Sequence, residues 1–228
     1  MMLGTLAQRR PPAQGAPEWV PDGATAFLDF VNGHYFAGGA ERAVSTLLGG
    51  GFDPAAISGS GMRIIGSNGN RPKAIGALFS DLEAGIAAGC TLLFDLNCAN
   101  PPGGFLLFIA NAANLDLASE VINVGVDGYV FDYDSLGFGD TISTAGVHKE
   151  GITINRDLGA GNRQYARSND GSAATTQTVN YTPAVIPINS MLIGHDGVGT
   201  GNSLNDVTIR SITLYPAVSP TALAALTA

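Results

Sequence analysis

Apolar and polar positions alternate along this chain in short runs separated by turn residues. Ala26-Phe27-Leu28-Asp29-Phe30-Val31 is a β-rich run, and Asn32-Gly33 then predicts a tight hairpin before His34-Tyr35-Phe36. Met62-Arg63-Ile64-Ile65 reads as a short strand closed by Ser67-Asn68-Gly69-Asn70. Ser80-Asp81-Leu82-Glu83 fits a capping box, predicting a short helix that starts there and ends at Gly89. Thr91 to Asn97 and Phe105 to Ile109 are strongly apolar and predict central strands, joined through a loop at Ala99-Asn100-Pro101-Pro102-Gly103-Gly104.

Further runs recur about every ten residues: Val121 to Val124, Gly128 to Tyr133, Thr141 to Thr144, Gly151 to Asn155 and Arg163 to Arg167. Asn169-Asp170-Gly171 is a turn signal, and residues 172–186 predict a surface loop or an edge segment. Asn205 to Tyr215 alternates most regularly, with Val207, Ile209, Ser211, Thr213 and Tyr215 on one side and Thr208, Arg210, Ile212 and Leu214 on the other. Ser219-Pro220 supplies an N-cap and a first-turn proline for a closing helix over Thr221 to Thr227. No internal repeat is visible. The fold class expected is all-β: a two-sheet antiparallel jelly-roll sandwich with one or two short helices.

Composition narrows the picture. The chain has 228 residues, of which 45% are apolar and 13% charged, enough for one main domain with one core. Its 31 glycines and 12 prolines are scattered between the apolar runs, as turns of a many-stranded protein are. Eleven Lys and Arg spread through a chain of formal charge −8 exclude a broad phosphate-binding surface, so no nucleic-acid partner is expected. Cys90 and Cys98 stand at the two ends of one predicted strand, about 26 Å apart at ~3.3 Å per residue, so no disulfide joins them and a reducing compartment is expected. The opening residues place Arg9 and Arg10 after a very short apolar stretch, the reverse of a secretory signal, and no run has membrane character. Synthesis in the cytoplasm without membrane insertion is the expectation. Residues 1–19, with Pro11, Pro12 and Pro17, lack periodicity and read as an arm before a domain at 20–228. Leu3, Leu6, Arg9 and Arg10 are its candidate docking residues.

Three groups of residues bear on chemistry. Asp132 and Asp134 share one face of a strand and Asp140 returns after a glycine loop, a hard-oxygen set that suits Ca²⁺; solvated turn carboxylates are the plainer reading. No other cofactor is implied. Gly194 to Asn202 is a glycine-rich segment with no lysine for phosphate; as a rim loop it offers His195, Asp196 and Asn202 to a ligand, or simply connects strands. His34, His148 and His195 are scattered without cysteine partners, so zinc spacing is absent, and no Gly-x-Ser-x-Gly elbow occurs. Asn180-Tyr181-Thr182 is a formal sequon, Trp19 beside Pro21 reads as a core plug, and Asp81 and Glu83 read as capping residues, not a catalytic pair.

Several of these stretches resemble the concanavalin A-like lectin/glucanase superfamily, in particular laminin G-like domains of bacteriophage virion proteins. The hairpin of Gly151-Ile152-Thr153-Ile154 with Arg163 to Gly171 carries the likeness, as do Met191-Leu192-Ile193-Gly194 and the last strand and helix from Ile209 to Leu226. Pro17 to Ala24 leading into Leu28-Asp29-Phe30-Val31-Asn32-Gly33 is similar as well. The resemblance implies a jelly roll with a curved face open to ligands, but the fold hosts lectins, glycosidases and structural modules alike. Its glucanases carry Glu-x-Asp-x-x-Glu on one strand, which is absent here. The aspartate loop with His148 downstream resembles a legume-lectin metal loop, though with different spacing and without the expected Asn. The function implied is a non-enzymatic virion structural protein (head decoration, spike or tail appendage), a homo-oligomer anchored to other virion proteins through residues 1–19. The alternative is a carbohydrate-binding module recognising host-surface glycan, and a polysaccharide hydrolase comes third.

Overall fold

A computed structural model of the protein describes residues 16–44, 48–49, 57–64, 73–74, 77–99, 105–110, 120–125, 130–132, 144–180, 190–193 and 206–228. The first strands in chain order are β1 (Ala26–Asp29), β2 (His34–Ala37), β3 (Ala40–Ala43), β4 (Leu48–Gly49), β5 (Ile57–Ser58), β6 (Gly61–Ile64) and β7 (Lys73–Ala74). Helix α1 (Ala77–Ala88) precedes β8 (Cys90–Cys98), β9 (Phe105–Ala110), β10 (Glu120–Gly125) and β11 (Val130–Asp132). Then come β12 (Gly146–Gly159), β13 (Asn162–Asn169), β14 (Thr175–Asn180), β15 (Ser190–Ile193), β16 (Val207–Pro216) and helix α2 (Pro220–Thr227).

The strands form two antiparallel sheets of a β-sandwich. The larger runs β14-β13-β12-β8-β16-β1-β2-β3, with β6 also pairing β16 and β5 pairing β6; the smaller runs β11-β10-β9-β15-β7-β4. The expected class therefore holds: mostly β, antiparallel, with two short helices. The two apolar runs at 91–97 and 105–109 are central as expected, but in different sheets: β8 lies between β12 and β16, and β9 between β10 and β15.

Alternation explains the core. Cys90, Leu92, Phe94, Leu96 and Cys98 of β8 turn to one face, where they join Ile152, Ile154, Tyr165, Ala26, Leu28, Met62, Ile64 and Leu82 in one cluster. Cys90 and Cys98 are free and buried at opposite ends of the strand, and burial pushes their thiols up to about 12 and about 11, so both stay protonated at neutral pH. The opposite, outer face of the large sheet carries a smaller cluster of Val20, Ala24, Phe36 and Tyr215, with Ala16, Trp19, Phe27, Leu93 and Leu226 against it. Trp19 stacks on His34, with ring centroids 4.4 Å apart, so it plugs this outer cluster; Ala16 and Trp19, the described end of the expected arm, lie on the sheet. Helix α2 packs on the same face over β12 and β13. Ser219 accepts a hydrogen bond from the Ala222 amide at 3.3 Å as its N-cap, as the Ser-Pro signal predicts. Among the described residues no helix is long and apolar enough to cross a membrane.

Four local expectations are corrected. The hairpin after β1 is not a two-residue turn. Asp29 Oδ1 accepts from the Val31 and Asn32 amides at 2.9 and 3.1 Å; pairing with β2 stops at Asp29, although the Phe30 amide still donates to the Arg210 carbonyl at 2.9 Å, and Phe30 to Gly33 form the link. Ser80 and Asp81 do not cap a helix, because α1 already begins at Ala77; Asp81 Oδ2 instead accepts from the Gly38 amide at 2.6 Å, tying α1 to the β2–β3 turn. Gly89 does end the helix, with φ +91. Within 172–186 the surface-loop alternative gives way to the edge-segment one: Thr175–Asn180 is a paired edge strand. The fourth concerns β16. Against β8, Ile209 pairs with Leu96 and Ser211 with Asp95, so Arg210 is an extra residue in a β-bulge. The bulge resets the alternation: Val207 and Ile209 before it and Ile212 and Leu214 after it all enter the core, while Ser211, Thr213 and Tyr215 turn outward.

Candidate functional site

The outer face of three neighbouring strands holds the candidate site. Each of those strands carries a single charged residue: Asp29 in β1, Arg210 in β16 and Asp95 in β8. Register gathers them. Asp29 pairs with Ser211, Ser211 with Asp95, and Asp95 with Lys149 of β12, so these side chains share one row across the sheet. The bulge adds the Arg210 side chain beside that row. Its Nη1 lies 3.4 Å from Asp95 Oδ1, an ion pair that is partly open to solvent. Asp29, Asp95, Arg210 and Ser211, with Phe27, Val31 and Asn32, line a groove of about 200 Å³.

The two carboxylates do different work. Asp29 takes the Val31 and Asn32 amides on Oδ1 and the Asn32 side-chain amide on Oδ2 at 2.6 Å, so it is a loop anchor. Asp95 faces the groove beside Arg210. Burial holds its carboxyl above the ordinary carboxylate range, a shift opposed by Arg210 and Lys149 and reinforced by Asp29. The neighbouring row, one step along the strands, continues the polar surface through Arg63, Thr208 and Asn97 to Val147. Arg63 is held bidentate by Asp206, at 2.7 and 3.0 Å. The groove can therefore offer an acceptor (Asp95), a donor (Arg210), groups that do both (Ser211, Asn32) and an apolar wall (Phe27, Val31).

A second hollow, lined by Val147, His148, Lys149, Asp170, Thr227 and Ala228, is built from groups already bonded to one another. His148 Nδ1 meets Asp170 Oδ2 at 2.7 Å and its Nε2 meets the Thr144 carbonyl at 3.0 Å; Asp170 Oδ1 accepts from the Lys149 amide, and Lys149 Nζ donates to the Ala228 carbonyl. Both ring nitrogens of His148 are engaged, so this histidine serves the β12–β13 hairpin and not a metal loop.

Of the residues singled out in the sequence, Asp132 closes β11 opposite Ile122. Asp134, Asp140, His195, Asp196, Asn202, Leu3, Leu6, Arg9 and Arg10 lie outside the described residues. Among the described residues no group of three or more His, Cys, Asp or Glu is placed to hold a metal. The groove residues were not singled out, although a signal existed: a single charge in each of three otherwise uncharged strands.

No family model and no curated protein matches the chain. Solved structures do. A Trypanosoma rangeli sialidase in complex with 2,3-difluoro-KDN matches with a TM-score of 0.54 and 13% identity over 96% of this chain and 36% of that one. Another structure of T. rangeli sialidase gives 0.52 and 13% over 90% and 32%. The CBM40 of Ruminococcus gnavus IT-sialidase bound to α2,3-sialyllactose gives 0.46 and 15% over 64% and 86%. The chain spans about a third of the T. rangeli sialidase chains. At these identities the likeness concerns the fold: a lectin-like β-sandwich.

Proposed function

We propose that the chain is a carbohydrate-binding module, without catalysis of its own, that holds a sugar in the groove on the outer face of the large sheet. The observation that supports this most is the row of Asp95, Ser211 and Arg210 beside Phe27, which places donors, acceptors and an apolar wall in one shallow groove. Sugars present hydroxyls that both donate and accept, around a ring whose C–H face is apolar, and side chains of this mixture answer both. The volume of about 200 Å³ suits one ring; at ~30 Å³ per water it corresponds to about seven waters. Glycoside hydrolysis mostly takes two working carboxylates across the bond to be cut, and among the described residues that line the groove Asp29 is committed to its loop, leaving Asp95. This arrangement supports binding without turnover.

The comparisons lend the virion role no support, since they match sialidase chains. That placement remains a proposal resting on the sequence resemblance and on the arm expected at residues 1–19.

Titration of immobilised glycans, with the fluorescence of Trp19 as a second readout, tests the binding function. Trp19 contacts Phe27 of the groove wall at a ring distance of 6.2 Å and is the protein's single tryptophan. Asp95→Asn and Arg210→Ala, each folded by circular dichroism, should weaken the best ligand at least tenfold, about 1.4 kcal/mol. Absence of binding across a broad panel of plant, bacterial and animal glycans refutes the proposal.

A further inference from the structure

We infer that the groove selects uncharged sugars with two adjacent ring hydroxyls and turns away sugars that carry a carboxylate. This rests on the carbohydrate-binding function proposed above and names its ligand class. Arg210 is the group that would attract a ligand carboxylate, and it already faces Asp95 Oδ1 at 3.4 Å. An anion drawn to that guanidinium arrives beside the Asp95 carboxylate, and Asp29 stands in the same row across Ser211. Two carboxylates against one guanidinium leave the groove lining with a formal charge of −1.

The nearby cations stand outside the groove lining. Arg63 is neutralised by Asp206 through two hydrogen bonds. Lys149 acts on the Asp95 carboxyl from the next strand, but its Nζ donates to the Ala228 carbonyl and is not among the groups that line the groove. The pair itself suits a diol. Asp95 only accepts and Arg210 only donates, so one hydroxyl can donate to the carboxylate while its neighbour accepts from the guanidinium. Both charges then keep a partner. Phe27 and Val31 meet the ring's C–H face, and Ser211 and Asn32 can reach a further hydroxyl.

Matched pairs of probes test this with the full chain by calorimetry: methyl glucoside against methyl glucuronide, methyl galactoside against methyl galacturonide, and lactose against 3′-sialyllactose. The neutral member of the best-binding pair should bind at least tenfold tighter than the acidic one. Raising salt from 50 mM to 500 mM should narrow that gap, because screening weakens the repulsion. Asp95→Asn should lower affinity for the neutral probe and shrink the discrimination together. Acidic members binding as tightly as neutral ones, or tighter, overturn the inference and leave the carbohydrate-binding function standing. Binding by no member of any pair, on a chain that also fails the broad glycan panel, overturns both.

Discussion

Gly151 tests the packing that seats α2 against the sheet. A Cβ placed on Gly151 would come 2.7 Å from Thr227 Cγ2 and 2.8 Å from Leu223 Cδ1. Ordinary contact begins near 3.4 Å, so α2 would have to retreat by about 0.6–0.7 Å. Little slack exists for that: Leu223 and Thr227 are 0% and 1% exposed, and Thr227 Oγ1 is held by Ser168 at 2.9 Å and by the Gly171 amide at 3.1 Å. Overpacking of this kind costs about 1–3 kcal/mol, and removing glycine's freedom in the unfolded chain returns about 0.4–1. At the middle of these ranges Gly151→Ala should destabilise by about 1.3 kcal/mol, lowering Tm by about 3–5 °C in a chain of this length. Urea unfolding followed by Trp19 fluorescence and far-ultraviolet circular dichroism measures it. Thr227→Ser removes the obstructing methyl and keeps the hydroxyl. Combined with Gly151→Ala it should recover part of the loss, a favourable coupling in the double-mutant cycle. Gly151→Ala as stable as the parent, or additive with Thr227→Ser, would refute the contact.

Glu150 and Arg167 form an ion pair with both side chains fully buried, so Glu150→Gln leaves a buried guanidinium against a neutral amide and should cost about 3–5 kcal/mol in urea unfolding; a loss below about 1 kcal/mol contradicts this. Ser219→Ala removes the N-cap of α2 and should cost about 1 kcal/mol, with Ser219→Gly close to the parent. Burial, reinforced by Asp29 and opposed by Arg210 and Lys149, raises the Asp95 carboxyl. The folded state then holds that proton more tightly than the unfolded chain, so this group weakens folding as pH rises from about 3.9 through its raised value, and the contribution is relieved on acidification. Asp95→Asn should flatten that part of the stability profile between pH 4 and 7, and an unchanged profile argues against it. Sugar binding should fall as pH drops through the same value, since protonation turns one Asp95 oxygen into a donor and removes the charge that strengthens the hydroxyl's hydrogen bond.

Apolar patterning made strands legible from sequence where one face turns to the core: β1 and β8 sit where their apolar positions place them. What patterning missed was set by single polar groups acting at short range. Asp29 intercepts the amides of Val31 and Asn32 and shapes a four-residue link; Asp81 bonds Gly38 across space, a role a capping motif at Ser80 cannot reveal. Straight alternation through Arg210 put Ile212 and Leu214 opposite Val207 and Ile209, and only pairing against β8 exposes the extra residue. The groove was hidden for the same reason. Asp29, Asp95 and Arg210 are distant in sequence, and register, which no local pattern encodes, makes them neighbours.

The bulge also divides labour along β16. Residues before it pair with β6, at Val207 to Ile209, and residues after it pair with β1, at Ser211 to Leu214, while β8 runs along the other side of both halves. One strand is thus spliced to two short partners that need not share a register. Opening β6 would expose the amides of its half and leave the β1 half closed, so amide exchange along β16 should fall into two kinetic groups that part at Arg210. The segment between β1 and β6 can then gain or lose residues without dragging the Asp29 row, and with it the groove, out of line.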